Sequence, residues 1–159
     1  MVLVRQHKPD RNKMGRTQRR SAGLNRQIPS LGLTAIPTNK LLLLVQRGFP
    51  FKMLATISAQ TGIPTRELAA IIEIPERTLA RRRAAGKLDR DESERLLRLT
   101  RVVASSVRLF EGDVGAAVTW LKTPQKALSH HTPLSYARFE IGAREVEDLI
   151  GQLEHGVFS

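Results

Sequence analysis

The chain has 159 residues, of which 41% are hydrophobic and 4% aromatic, enough for one modest core or two small ones, and it carries a formal net charge of +11. It contains no cysteine, which excludes a disulfide framework, a thiolate metal site and a cysteine nucleophile. The longest apolar run, residues 41–45, is far too short to span a membrane, and the N-terminus lacks the apolar stretch of a secretory signal, so a cytoplasmic location is expected.

The charge is unevenly spread. Residues 1–40 hold nine Lys/Arg against one Asp, a surplus of +8, and residues 41–88 hold eight against three, a surplus of +5. Residues 89–159 hold nine against eleven, a balance of −2. A uniform excess would suit a protein coated by nucleic acid along its whole length. This division points instead to a basic part that meets nucleic acid and a near-neutral part with another task.

Taken in order, residues 1–37 mix charge with Gly, Pro and Ser and show no sustained period. Such a segment buries too little apolar surface to offset its conformational entropy, and a disordered basic arm is expected, adding nonspecific attraction to phosphate. Residues 39–47 contain four leucines and a valine in a row, too uniform for periodicity to separate a helix from a buried strand. After the break at Gly48-Phe49-Pro50, Phe51, Leu54, Ile57 and Ser58 share one face of an expected helix that Gly62 closes.

Residues 60–87, QTGIPTRELAAIIEIPERTLARRRAAGK, organise what surrounds them. Thr65 is expected to cap a helix with apolar cover from Leu68, Ala69, Ile71 and Ile72. Glu73-Ile74-Pro75 then forms a break, since proline is poorly tolerated inside a helix and suits the start of the next. A second helix is expected over 76–85, stopped by Gly86, with Leu79 facing the first helix and arginines covering the rest. This is the pattern of a helix-turn-helix, whose second helix enters the major groove. The plainer reading of an arginine run is a solvated face. No glutamate falls between Arg77 and Asp89, so no local ion pairing accounts for the run, and DNA binding is the reading preferred.

Asp89 with Glu92 three residues on makes a capping box for a helix carrying Leu96, Leu99, Val103, Val107 and Phe110 at steps of three or four. Asp113 caps another helix with Val114, Ala117, Val118 and Leu121 at i, i+3, i+4 and i+7. Residues 122–132 read as a loop, Thr132-Pro133 as a short helical turn to about residue 138, and residues 143–155 as a last helix with Val146, Leu149, Ile150 and Leu153 inward. The expected fold is all-α: a helix-turn-helix domain over 38–88 and a smaller helical domain over 89–159.

Catalytic signals are weak. His130 and His131 are adjacent and have no carboxylate or cysteine at ligand spacing, so neither a metal site nor a cofactor is expected. Ser129 lies in a loop without the strained elbow of a nucleophile. Glu145, Glu147 and Asp148 read as a solvated helix face, with Arg144 expected to pair with Asp148 one turn on. An enzyme is not expected.

Several motifs resemble one family. They are IPERTLARRRAAGKL over 74–88 followed by ESERLLRL over 92–99, A-x-x-WL-x-x-P over 117–124, TPL over 132–134, and GAREVEDLIGQLEHGVFS over 142–159. Together they resemble the Xre-type antitoxins, the Xre/MbcA/ParS group that pairs with RES-domain toxins, across roughly three quarters of the chain. The resemblance implies a DNA-binding domain, a C-terminal domain that grips the toxin, and a toxin partner that uses NAD in ADP-ribosyl chemistry and whose cofactor pocket is covered. It also implies operator DNA as a second partner. On that basis Arg77, Thr78, Arg81, Arg82 and Arg83, with Lys87 just beyond, match the DNA-reading helix. Trp120, Leu121, Thr132, Pro133, Leu134, Gly142 and Val146 match the toxin-binding domain in mixed packing and contact roles, and Gly156, Val157, Phe158 and Ser159 match the end that lies against the toxin. Two-fold reading of paired half-sites makes a homodimer expected. A stand-alone dimeric transcriptional regulator is the alternative. The family usually places Leu-Gly-Gly before Thr-Pro-Leu, where this chain has Leu128-Ser129-His130-His131, so a differently shaped loop is expected there.

Overall fold

The computed structural model describes residue 33 and residues 36–156. Residues 1–32, 34 and 35 of the arm placed over 1–37, and the tail over 157–159, lie outside the described residues, along with the expectations placed on them. Leu33, assigned above to the arm, is buried, and its carbonyl accepts the Ile36 amide at 3.2 Å.

The described residues are helical, with no strand among them. In order the elements are α1 (Thr38–Arg47), α2 (Lys52–Thr61), α3 (Thr65–Ile71), α4 (Glu76–Ala85), α5 (Arg90–Leu109), α6 (Val114–Leu121), a 3₁₀ turn (Lys126–Leu128), α7 (Pro133–Tyr136) and α8 (Glu140–His155). The leucine run that periodicity left open is α1, and only its Val45 is buried. The reason the pattern was uninformative is now visible: Leu42, Leu43 and Leu44 are exposed, so apolar character does not follow the buried face.

The corner between α1 and α2 is laid against the end of α4. Phe51 donates its amide to the Gly86 carbonyl, and Leu88 donates to the Phe49 carbonyl, each at 2.9 Å. Phe49 in turn donates to the buried Ser93 hydroxyl at 2.8 Å. The approach leaves no room for a side chain at Gly48, whose φ is +84° and where a Cβ would overlap the Leu88 carbonyl oxygen.

Two boundaries differ from expectation. Thr65 is the first residue of α3 rather than its cap; the N-cap is Pro64, with no side-chain hydrogen bond. Proline's fixed φ and extended ψ already supply the entry geometry, so the hydroxyl is not needed. Helix α8 starts three residues earlier than its apolar period suggested, because Glu140 is held at its N-terminus by arginines from α5 and by Arg144. The starts of α5 and α6 are as expected. Asp89 and Glu92 form a reciprocal capping box on α5, and Asp113 accepts the Ala116 amide on α6.

Core residues from Val45 to Ile150 form one connected cluster, with Leu96, Leu99, Val102 and Val103 of α5 at the junction of both halves. Burying these side chains, each worth roughly 1.5–3 kcal/mol on transfer from water, is what holds the short helices in place, since seven or eight residues make no stable helix alone. The loop before α7 takes left-handed backbone even without glycine: Ser129 has φ +51° and His130 φ +63°. The 3₁₀ turn is closed there by the Gln125 amide donating to the His131 carbonyl at 3.0 Å and the His130 amide donating to the Gln125 carbonyl at 2.9 Å, which is how non-glycine residues are held in an unfavourable region.

Candidate nucleic-acid and partner interfaces

Helices α3 and α4 meet through a tight turn. Ile74 is buried and donates its amide to the Ala69 carbonyl at 2.8 Å, while Glu73 adopts φ +60°. Leu79 packs α4 against the core, and Arg77, Arg81 and Arg83 are exposed on the other sides, with Thr78 half-buried and Lys87 exposed past the end. Among the described residues Arg77 and Arg81 have no carboxylate partner. The Arg83 guanidinium lies over the Phe51 ring, 5.6 Å from its centre, which holds it in place without neutralising it.

Arg82 is different, and the expectation that no ion pairing explains the arginine run is corrected at this residue. Its Nε donates to Glu92 and its terminal nitrogen to Asp89, both at 2.7 Å, and the Glu92 side chain is only 5% exposed. The hydrogen bond it donates to Glu92 is the main cause holding the guanidinium's pKa above its ordinary value. The partners were invisible locally because they sit seven and ten residues on, beyond Gly86, on the capping box of α5. Arg82 therefore fixes the angle of α4 on α5. Arg66 and Glu76 also pair across the turn, but in full exposure.

At the other end of the molecule the sequence-selected residues divide. Leu121 and Val146 are fully buried, and Pro133 and Leu134 are buried beneath α7, so these four build the module. Thr132 caps α7 by accepting the Ser135 amide at 3.1 Å. Trp120 is half-buried and tilted against Phe110, ring centres 6.3 Å apart. Gly142 lies so close to α7 that a Cβ would overlap the Tyr136 carbonyl oxygen. Gly156 ends α8 in left-handed backbone; Val157, Phe158 and Ser159 lie outside the described residues. Arg144 pairs with Glu140, not Asp148, and Glu147 receives Arg101 from α5, so the acids of α8 are not all solvated.

Sequence reasoning missed two features here. Phe139 and Ile141 are large apolar residues left exposed at the start of α8. The two halves are also bridged: Lys122 pairs with Glu67 of α3 at 2.9 Å, and Glu73 of the turn lies 3.8 Å from both Arg95 and Arg138. These pairs span 22 to 65 residues of sequence, so no local pattern announces them. Among the described residues, no group of three or more His, Cys, Asp or Glu side chains is gathered as metal ligands require, and no helix is long and apolar enough to cross a membrane.

A helix-turn-helix whose second helix exposes Arg77, Arg81 and Arg83 without carboxylate partners, joined through a long helix to a near-neutral helical module, defines a two-part helical protein of the helix-turn-helix class. Comparison with known families makes this specific. Residues 40–101 match the antitoxin Xre-like helix-turn-helix domain, and residues 105–156 match the antitoxin Xre/MbcA/ParS C-terminal toxin-binding domain. The chain is similar to an Antitoxin Xre of Yersinia enterocolitica, 44% identical over 130 residues that cover 81% of this chain and 88% of that protein. An Antitoxin Xre of Photorhabdus laumondii is 35% identical over 117 residues, covering 73% and 79%, and one of Pseudomonas putida 34% identical over 84 residues, covering 52% of each. The chain belongs to the Xre antitoxin family.

Proposed function

We propose that this protein neutralises a RES-domain, NAD-consuming toxin by covering its cofactor pocket, and represses its own operon through the helix-turn-helix. The observation that carries the reading is the division of labour between the two matched domains: among the described residues the arginines without a carboxylate partner, Arg47, Arg77, Arg81 and Arg83, all lie in the helix-turn-helix domain, three of them on α4, while residues 105–156 form a near-neutral module of the toxin-binding type. In this reading residues 38–88 bind operator DNA and residues 89–159 bind the toxin. Arg77 and Arg81 read base edges, Arg83, Thr78 and Lys87 contact backbone, and Arg82 sets the angle of the helix. A homodimer presents two recognition helices to paired half-sites. Trp120, Thr132 and the tail over 156–159 contact the toxin, and the protein has no catalytic role of its own.

The test is co-expression with the RES-domain protein encoded beside it, followed by a pull-down comparing the full chain with one ending at Leu153. Restored growth, with capture by the full chain and loss in the truncation, is expected. Capture by both would keep the antitoxin and move the blocking contacts into the helical module. Failure of the full chain to rescue growth or to bind would leave a regulator acting on DNA alone.

A further inference from the structure

Phe139 and Ile141 stand at the start of α8 with 63% and 75% of their surface exposed. They border a groove of about 480 Å³ whose other walls include His131, Tyr136, Arg138 and Glu145. Contacts along its walls shape the groove. The His131 and Tyr136 rings lie against each other with centres 5.3 Å apart, and the absent side chain at Gly142 lets α8 press on the Tyr136 backbone.

Neither apolar residue serves the fold where it stands. Phe139 occupies the N-cap of α8 in extended backbone and gives the helix no side-chain hydrogen bond. Ser, Thr, Asp or Asn is preferred at such a position because its oxygen satisfies a free amide, as Asp89, Asp113 and Thr132 do for α5, α6 and α7. Ile141 is a β-branched residue on an exposed first turn, where stability alone favours an unbranched or polar one. Residues that break local rules without a compensating contact inside the fold mark a contact outside it.

We propose that this groove, with Phe139 and Ile141 at its edges, is the energetic centre of the toxin interface and receives a large apolar side chain of the toxin. The inference rests on the toxin-binding reading of residues 105–156, within which the whole groove lies, and adds the residues that carry the affinity. Charge narrows the occupant. Arg138 and Glu145 contribute one sign each, so the site lacks the basic surface that nucleic acid needs and does not select a strongly acidic segment. A preformed apolar pocket with a polar rim is the usual setting of a binding hot spot. Among the described residues the other exposed apolar group, Leu42 to Leu44, is on α1 in the DNA-binding half and serves as a control.

The experiment measures affinity of the full chain for the purified RES-domain protein encoded beside it, by calorimetry. Phe139→Ser with Ile141→Ser is expected to weaken binding about 30-fold or more, which is about 2 kcal/mol at 1.4 kcal/mol per tenfold. Melting temperature should be unchanged or higher, because serine supplies the missing cap, and Leu43→Ser should bind like the wild type. A photo-crosslinking residue at position 141, but not at 43, should capture the RES protein, which keeps the test valid even if the double variant folds poorly. Wild-type affinity in the double variant, or no crosslink at 141 from a binding chain, overturns this inference and leaves the proposed function standing. Loss of self-association in the double variant with toxin affinity intact would make the groove a contact between copies and also overturn it. If the wild-type chain does not bind the RES protein at all, both readings fall.

Discussion

Helices α4 and α5 are both rich in arginine, and they differ in where their carboxylates are. Along α5, Arg98 donates to Glu140, Arg101 to Glu140 and Glu147, and Arg108 to Glu154. Glu140, Glu147 and Glu154 recur every seven residues on α8, as Arg101 and Arg108 do on α5, so the partners line up along two adjacent helices. Arg95 is used on the other side, donating to the Ile72 carbonyl at 2.8 Å beneath the helix-turn-helix turn. On α4 only Arg82 is committed this way. The count of arginines therefore says less than their pairing: α5 spends its positive charge inside the protein, and α4 presents it to solvent, where phosphate and guanine can take it.

The sharpest way to break this contrast is to remove the one paired arginine of α4. Arg82→Ala leaves the buried Glu92 carboxylate without its cation, and stability is expected to fall by about 2–4 kcal/mol, short of a fully buried pair because Arg82 is itself partly exposed. Arg77→Ala and Arg81→Ala, at exposed positions without carboxylate partners, should change stability by no more than about 0.5 kcal/mol. Urea denaturation of the three variants checks this, and equal losses would dissolve the distinction. The next effect is on DNA. Arg77→Ala and Arg81→Ala should each relax discrimination at one base position by about 1–3 kcal/mol, while Lys87→Ala should weaken binding to all sequences and flatten the salt dependence. Fluorescence anisotropy against a panel of promoter variants at two salt concentrations separates these outcomes. Unchanged specificity in both arginine variants would remove α4 as the reading element.

Much of this contrast was legible from the sequence, and the part that was not has a common cause. The turn at residues 73–75, α4 over 76–85 and the capping box at Asp89 and Glu92 rest on signals within four residues of each other, which a linear reading captures. The start of α8 and the commitment of Arg82 rest on partners farther away. Arg82 looked free because its carboxylates follow a glycine stop and belong to the next helix, and Glu140 looked like loop because its arginines lie about forty residues earlier. At the candidate sites the same limit applies. The arginine run could be found, whereas Pro133 and Leu134, prominent in the motif, are buried in the module. Phe139 and Ile141 form no motif, and only the fold reveals that they stand exposed.

A smaller loss isolates what the α5–α8 pairs contribute. Burial alone would push the Glu140 carboxyl up, but hydrogen bonds from Arg144 and Arg98 and the charges of Arg101 and Arg98 outweigh it and hold its pKa below the ordinary 4.5. A carboxyl whose folded pKa is depressed adds stability above its unfolded pKa and loses that contribution as pH falls through the folded one. The side chain is 42% exposed, so solvent screens the pairs and Glu140→Gln should cost no more than about 1 kcal/mol at pH 7. That difference should shrink with added salt, narrow as pH drops below 4.5, and vanish once the native carboxyl is protonated. Chemical denaturation of both proteins from pH 7 to pH 3 tests the assignment. A gap that does not narrow at all as pH falls below 4.5 would show that Glu140 acts through its packing at the start of α8, and the arginines of α5 would then need another reason to be where they are.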